Sequence, residues 1–225
     1  GTILERAAAT GETIDMHALF LRYTLDSIGE IAFGHSINSL GNPSDEFAVA
    51  FDSAQAIIEK RFYNPLWKLG KYFIPREATL RKSVKTLNTY VLGLIAEKHA
   101  DPDFKEHSDS VLARFFNLRD ENGKPYSDTF LRDVIINFLV AGRDTTGQAM
   151  SWLLYNLMLN PDVEQRCVDE AERVYSGPAG TEDGLPTYTT FEALNYTYAA
   201  FTESLRLYPS VPKDVKFAVA EDTKL

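Results

Sequence analysis

Four small residues, Gly142, Thr145, Thr146 and Ala149, stand at i, i+3, i+4 and i+7 within a long apolar stretch. On a helix they form one face without bulk, along which a flat ligand could lie close to the backbone. The Thr145 hydroxyl can bond the carbonyl of Ala141, four residues back, which loosens or bends a helix at that point. Asp144 sets a carboxylate beside the same groove, in a segment too apolar to carry one idly. The same residues serve close helix–helix packing equally well, with Arg143 and Asp144 solvated, and both uses stand at this stage. Further along, Glu203 and Arg206 are three apart and can pair on a helix. They project opposite the apolar stripe, which ordinarily means an exposed ion pair worth little. But Tyr196, Ala199 and Ala200 share their side with Glu192 as the only other charge, so a largely buried helix stands as the alternative. A buried pair demands further partners.

Other chemistries find no support. His17, His35, His99 and His107 occur in no His-x-x-x-His arrangement, so no metal site is expected. No Ser-His-Asp hydrolase motif appears, and the glycines of the Ser176–Pro186 loop follow no strand, so no phosphate cradle is implied. Cys167 falls on an apolar stripe and reads as a buried structural thiol. Asn195-Tyr196-Thr197 matches a glycosylation acceptor but lies inside an expected helix.

With 225 residues, 44% of them hydrophobic and 12% aromatic, the chain can bury a sizeable core as one domain or at most two. A formal charge of −9 argues against nucleic acid as a partner. One cysteine excludes a disulfide framework and fits a reducing, intracellular compartment. No apolar run reaches transmembrane length, and no signal peptide is seen. The chain starts at Gly1 without a methionine and ends in mid-pattern, so a fragment of a longer protein is expected.

The groups above need elements to hold them. The central stretch, Asp133–Asn160, is a helix whose N-terminus Ser127 or Asp128 can cap and which Asn160-Pro161 ends. Leu131, Val134, Ile135, Phe138 and Leu139 give its apolar spacing, while Gly142, Thr145 and Thr146 interrupt it. Before it, a helix spans Thr13–Phe33, capped by Thr13 or Asp15 and stopped by Gly34. Ser44 can cap a second, with Phe47, Ala50, Phe51, Ala54, Ile57 and Ile58 on one face. An aromatic connection broken by Pro65, Gly70 and Pro75 leads to a third long helix with Leu80, Val84, Leu87, Val91 and Leu94 inward, ending near Asp101-Pro102. Ser110–Asn117 forms a short helix and Asp120–Pro125 a turn. Past the centre, Pro161 opens a helix striped by Val163, Cys167, Ala171 and Val174. Thr189 and Glu192 fit a capping box for one more, striped by Leu194, Tyr198, Phe201 and Leu205 and ended by Pro209. Val215, Phe217 and Val219 alternate as a short C-terminal β-strand.

Two segments carry a family resemblance. Ala141-Gly142-Arg143-Asp144-Thr145-Thr146 resembles the oxygen-activation signature of the haem-thiolate monooxygenases, the cytochrome P-450 family. Glu203-Ser204-Leu205-Arg206, followed by Leu207-Tyr208-Pro209, resembles that family's Glu-x-x-Arg helix and its trailing Leu-x-Pro. Either motif alone is weak; together and in this order they are specific. The strong likeness covers Ser127–Pro212, with a looser match back to Thr13. The segment from Leu25 to Gly34 is similar to a helix of the fatty-acid and alkane hydroxylating branches.

The resemblance implies a mainly α fold, the central and distal helices of a P-450 domain truncated at both ends. Residues 1–225 would be part of that single domain, without its N-terminal part and without the loop that carries the axial cysteine. It implies haem as cofactor, dioxygen and a lipophilic substrate such as a fatty acid or alkane, and electrons from NADPH through a reductase. One oxygen atom would enter a C–H bond. Asp144 and Thr145 would be catalytic, in proton delivery. Ala141, Gly142, Thr145 and Thr146 would line the haem-side groove, and Glu203 with Arg206 would be a structural pair near the haem. No metal ligand is expected in this chain, and the fragment by itself is expected to be inactive. The family resemblance places the parent enzyme at the endoplasmic reticulum membrane, attached through the missing N-terminal segment. The competing expectation is a helical scaffold or ligand-binding module that holds no haem.

Overall fold

A computed structural model of the chain describes residues 2–64, 66–70, 75–101, 103–104, 108–176, 181–182 and 185–213. The architecture is mainly helical. Its elements run α1 (Thr2–Thr10), α2 (Met16–Phe33), α3 (Glu46–Phe62), α4 (Trp67–Gly70), α5 (Pro75–Ala100), α6 (Val111–Asn117), α7 (Asp128–Leu159) and α8 (Pro161–Tyr175). A minimal antiparallel pair follows, β1 (Thr181–Glu182) with β2 (Leu185–Pro186), within the loop expected from its glycines and prolines. Then come α9 (Tyr188–Glu192) and α10 (Asn195–Leu207). The strand expected at Val215–Val219 lies outside the described residues. Among the described residues no helix is long and apolar enough to cross a membrane.

The chain divides into two compact units, Gly1–Asp144 and Thr145–Leu225. The first has the larger apolar core. Asp15 caps α2 by accepting from the Ala18 N–H, and Gly34 ends it with φ of 66°, a left-handed conformation that glycine adopts without strain. Asp45, one residue past the expected Ser44, caps α3 by accepting from Ala48. Phe47, Phe51, Ala54 and Ile57 of α3 pack with Leu80, Leu87, Val91, Leu94 and Ile95 of α5, as their spacing requires. Ile58 and Val84, assigned to the same stripes by sequence, face outward. Pro75, read as a breaker, is the first residue of α5, where its missing N–H costs nothing. Glu77 is buried two residues on, held bidentately by Arg61 of α3. That pairing keeps the Glu77 carboxyl below the ordinary carboxylate range.

α7 is helical without interruption for 32 residues, about 48 Å, so the expected loosening at Gly142–Thr146 does not break it. Within the first unit its buried stripe is Leu131, Ile135 and Leu139, four apart, while Phe138 is exposed. One more step of four lands on Arg143, which is also buried.

The second unit contains the remainder of α7 with α8, the hairpin, α9 and α10. Pro161 opens α8, and Cys167 and Val174 turn inward as their stripe predicts. The capping box expected from Thr189 and Glu192 forms instead between Thr187 and Thr190, and it starts only the short α9. The chain then breaks at Ala193-Leu194 and restarts as α10. Leu194 has no side chain able to cap that start. Glu170 of α8 does it instead: its carboxylate accepts from the Tyr196 N–H at 2.8 Å, the Thr197 N–H at 2.7 Å and the Thr197 hydroxyl at 2.8 Å. Burial raises the Glu170 pKa, but these three donors outweigh it and the net shift is downward.

Candidate functional site

The residues singled out by sequence sit in consecutive positions of α7, and the structure gives each a different neighbourhood. Gly142 packs against α2. A Cβ built on it would lie 2.7 Å from Cδ1 and 2.8 Å from Cγ1 of Ile28, closer than carbon atoms approach. Glycine therefore lets the two helices pack closely here unless Ile28 shifts, with no ligand invoked. Thr24 of α2 sits in the same crossing, its Oγ1 3.0 Å from the Arg143 carbonyl oxygen. Ala141 and Thr146 are exposed, and Thr145 is half-buried. The Thr145 carbonyl oxygen accepts a bond from the Ser210 hydroxyl at 2.8 Å, which ties the Leu-x-Pro region back to α7 inside the second unit.

Arg143 was expected in solvent if the segment were mere packing. It is instead the centre of a buried polar cluster, its side chain only 4% exposed. Its NH1 donates at 2.8 Å to Asp144 and at 2.8 Å to Oε1 of Gln55, its NH2 pairs with Asp52, and its guanidinium lies 5.2 Å from the Phe51 ring centroid. Gln55 closes the circle by donating from Nε2 to the second oxygen of Asp144. Both Asp144 oxygens are thus engaged, and the carboxylate is half-buried rather than free beside a groove. The Arg143 Nε is buried and has no hydrogen-bond partner among the described residues.

Sequence reasoning missed this cluster. Its signal was present in two places: Arg143 continues the Leu131, Ile135, Leu139 spacing, and Asp52 and Gln55 stand three apart beside the apolar face of α3.

In the second unit Glu203 and Arg206 do pair. Arg206 donates through Nε and NH2 to the two Glu203 oxygens at 2.7 and 2.6 Å. The pairing lowers the Glu203 pKa and raises that of Arg206. The side chains are 55% and 67% exposed, so of the two readings the exposed pair is the one seen among the described residues: on α10 only Ser204 is buried, bonded at 2.9 Å by Asn156 of α7. Tyr198, placed on the inward stripe by spacing, is 72% exposed. A groove of about 270 Å³ runs beside the pair, lined by Leu153, Asn156 and Leu157 of α7 and by Ala200, Glu203 and Leu207 of α10. Among the described residues no three histidine, cysteine, aspartate or glutamate side chains gather as metal ligands.

This geometry puts an Ala-Gly-Arg-Asp-Thr-Thr segment in an unbroken helix and a bidentate Glu-x-x-Arg pair on a later one. The family model of Cytochrome P-450 matches residues 2–225, nearly the whole chain. The chain belongs to the cytochrome P-450 family. Cytochrome P-450 704B1 of Arabidopsis thaliana is 33% identical over 259 residues, covering 98% of this chain and 49% of the relative. Cytochrome P-450 86B1 of the same plant is 36% identical over 236 residues, covering 98% and 42%. Cytochrome P-450 94A1 of Vicia sativa is 35% identical over 229 residues, again covering 98% and 42%. The chain therefore spans about half the length, or less, of these curated relatives.

Proposed function

We propose that this P-450 chain contributes the distal, proton-delivering side of a haem monooxygenase acting on a lipophilic substrate of the fatty-acid or alkane kind. Family membership over residues 2–225, with the Ala141–Thr146 signature seated in α7, is the observation that carries the reading. The substrate class rests on the likeness of the Leu25–Gly34 segment to one branch of the family. Residues 1–225 would form part of one P-450 domain, in a protein that draws electrons from NADPH through a reductase at the endoplasmic reticulum membrane.

The haem, when bound, supplies the oxidant. Ala141, exposed, and Thr145, half-buried, are four apart in sequence, the spacing of one helix face, and would line the haem-side groove. Thr146 is exposed on the next position and is the weaker lining residue. Gly142 fits this role least, since Ile28 fills the space its missing Cβ leaves. Cys167, buried on α8 and in no loop that resembles the family's ligand loop, would be a structural thiol and not the axial ligand. Thr145 can donate and accept, so its hydroxyl can hold a water in place. Asp144 can carry protons to that water, a role that needs an ionisable carboxylate rather than an amide. Glu203 and Arg206 would act as a structural pair near the haem without taking part in the chemistry.

The test uses the complete protein. Thr145→Ala should retain haem and consume reductant at nearly the normal rate while diverting it to hydrogen peroxide. Asp144→Asn should slow turnover about 100-fold, the scale of a lost proton carrier, with substrate affinity little changed. The measurement is product formed per NADPH consumed, with peroxide assayed alongside. Unchanged coupling in Thr145→Ala would leave this face of α7 as packing. The Gly142–Ile28 contact favours that second reading, a helical module without haem, and a ferrous–carbon monoxide spectrum with the red-shifted thiolate band would dismiss it.

A further inference from the structure

We infer that Gln55 of α3 is a positioning residue for Asp144, its amide oxygen taken by Arg143 and its amide nitrogen by the Asp144 carboxylate. The inference rests on the relay reading of Asp144 given above and extends it to a residue on another helix. Arg143 alone cannot fix Asp144. It is the sequence neighbour, it holds one oxygen only, and it is shared with Asp52 and with Gln55 itself. The second Asp144 oxygen is oriented solely by the Gln55 Nε2 among the hydrogen bonds described for that carboxylate. Gln55 is suited to this because an amide carries both a donor and an acceptor on one rigid plane, so a single side chain can serve a cation and an anion at once. A carboxylate at position 55 would serve Arg143 and repel Asp144; a hydrocarbon would serve neither. Asp52 lies one turn earlier on α3 with its side chain 60% exposed, so it completes the charge around Arg143 from the solvent side, and among the described residues its bond is to Arg143 and not to the Asp144 oxygens.

The two halves of the amide give the test its discrimination. In the complete, haem-loaded protein, Gln55→Glu and Gln55→Met are each made alone and in an Asp144→Asn background. Haem content, the ferrous–carbon monoxide band and the thermal midpoint are read alongside kcat, KM and peroxide yield. If Gln55 merely braced α3 against Arg143, Gln55→Glu would be harmless, because it retains the acceptor for the guanidinium. As a positioning residue, Gln55→Glu lowers kcat about tenfold, a fraction of the full effect of losing the proton carrier, with KM within about twofold and more peroxide. Gln55→Met gives a similar loss. Neither substitution changes kcat further once Asp144 is asparagine, and the thermal midpoints of the single and double variants are non-additive, a readout independent of turnover. Normal kcat and coupling in Gln55→Glu, or an equal loss in both backgrounds, overturns the inference while leaving the relay intact. Normal turnover in Asp144→Asn alone brings down the relay reading and this inference with it.

Discussion

Arg143 and Arg206 each hold carboxylates through a guanidinium fork, in opposite surroundings. Arg143 has a side chain 4% exposed, buried among Phe51, Gln55 and two aspartates, and its partners come from two helices distant in sequence. Arg206 is 67% exposed and, among the described residues, is bonded to Glu203, one turn away on the same helix. The first pairing joins elements, so its geometry depends on the tertiary fold. The second is a local property of α10 that any helix with this spacing could make. The Glu203–Arg206 bond is therefore legible from residue spacing alone, whereas the Arg143 cluster takes half of its members, Asp52 and Gln55, from outside the signature that holds Arg143 and Asp144.

The largest expected effect tests whether that contrast survives in the complete protein. On its described surroundings alone, an exposed pair such as Glu203–Arg206 is worth little. The proposed structural role requires more. Glu203→Ala or Arg206→Ala in the complete protein should therefore give material that does not retain haem. Haem content and thermal stability equal to the parent would show the pair to be surface decoration, as its exposure here suggests.

Next comes Arg143→Met, which keeps bulk against Phe51 and removes the charge. Breaking a buried ion cluster by one member costs about 3–5 kcal/mol, and the lower end is expected because Asp52 can rehydrate. Asp144, half-buried, cannot do so as easily, so Asp144→Asn added to Arg143→Met should recover part of the loss. Urea unfolding of the complete protein measures both. A loss below about 1 kcal/mol would place Arg143 with Arg206 among exposed pairs.

Much of the first unit was readable in advance because its helices obey simple periodicity. Phe47, Phe51, Leu87, Val91, Leu131 and Ile135 are all buried where spacing put them. The misreadings have physical causes. Tyr198 and Phe138 sit on apolar stripes and yet face outward, because a stripe says which residues share a side and not how much of that side is covered. The helix expected to run unbroken from Thr189 splits because Thr187 and Thr190 satisfy each other and close a turn too early. The start of α10 then relies on Glu170, which is 26 residues before Tyr196 and beyond any local capping rule. Within the candidate site, Gly142, Asp144 and Thr145 were legible by type. Gln55 and Asp52 were not, since their importance lies in meeting α7 across about ninety residues of chain.

Glu170 gives a smaller and pH-dependent effect. Glu170→Ala should cost about 2 kcal/mol, the scale of half-buried backbone donors left unpaired at a helix start. Because its folded pKa lies below the ordinary glutamate value, the carboxylate's contribution is fully present above that ordinary value and is lost as pH falls through the lowered one. Parent and variant should thus converge in stability only on the acid side of the ordinary glutamate range. A gap between them that stayed constant through that acid window would mean the contacts do not depend on the charge.

The smallest effect, and the sharpest test of what Gly142 is for, comes from Gly142→Ala. Two terms oppose each other. Alanine in a helix interior is favoured over glycine by about 1 kcal/mol, through lost backbone freedom in the unfolded chain. Against this, the new Cβ would meet Ile28 Cδ1 at 2.7 Å and Cγ1 at 2.8 Å, with Ile28 Cβ at 3.4 Å behind them. The first two atoms belong to a side chain that can change rotamer, so the overlap relaxes at about 1–3 kcal/mol instead of driving the helices apart. The sum is a destabilisation of about 1 kcal/mol. If packing is the reason for the glycine, shortening the opposing side chain should reverse the sign. Ile28→Val removes Cδ1, the nearest atom, and Ile28→Ala removes Cγ1 as well. Gly142→Ala should therefore become neutral beside Ile28→Val and stabilising beside Ile28→Ala, measured by urea unfolding relative to each Ile28 variant alone. Should Gly142→Ala cost the same in every Ile28 background, the glycine is answering to something other than α2, and the open-groove role proposed from its place in the signature would regain its claim on this residue.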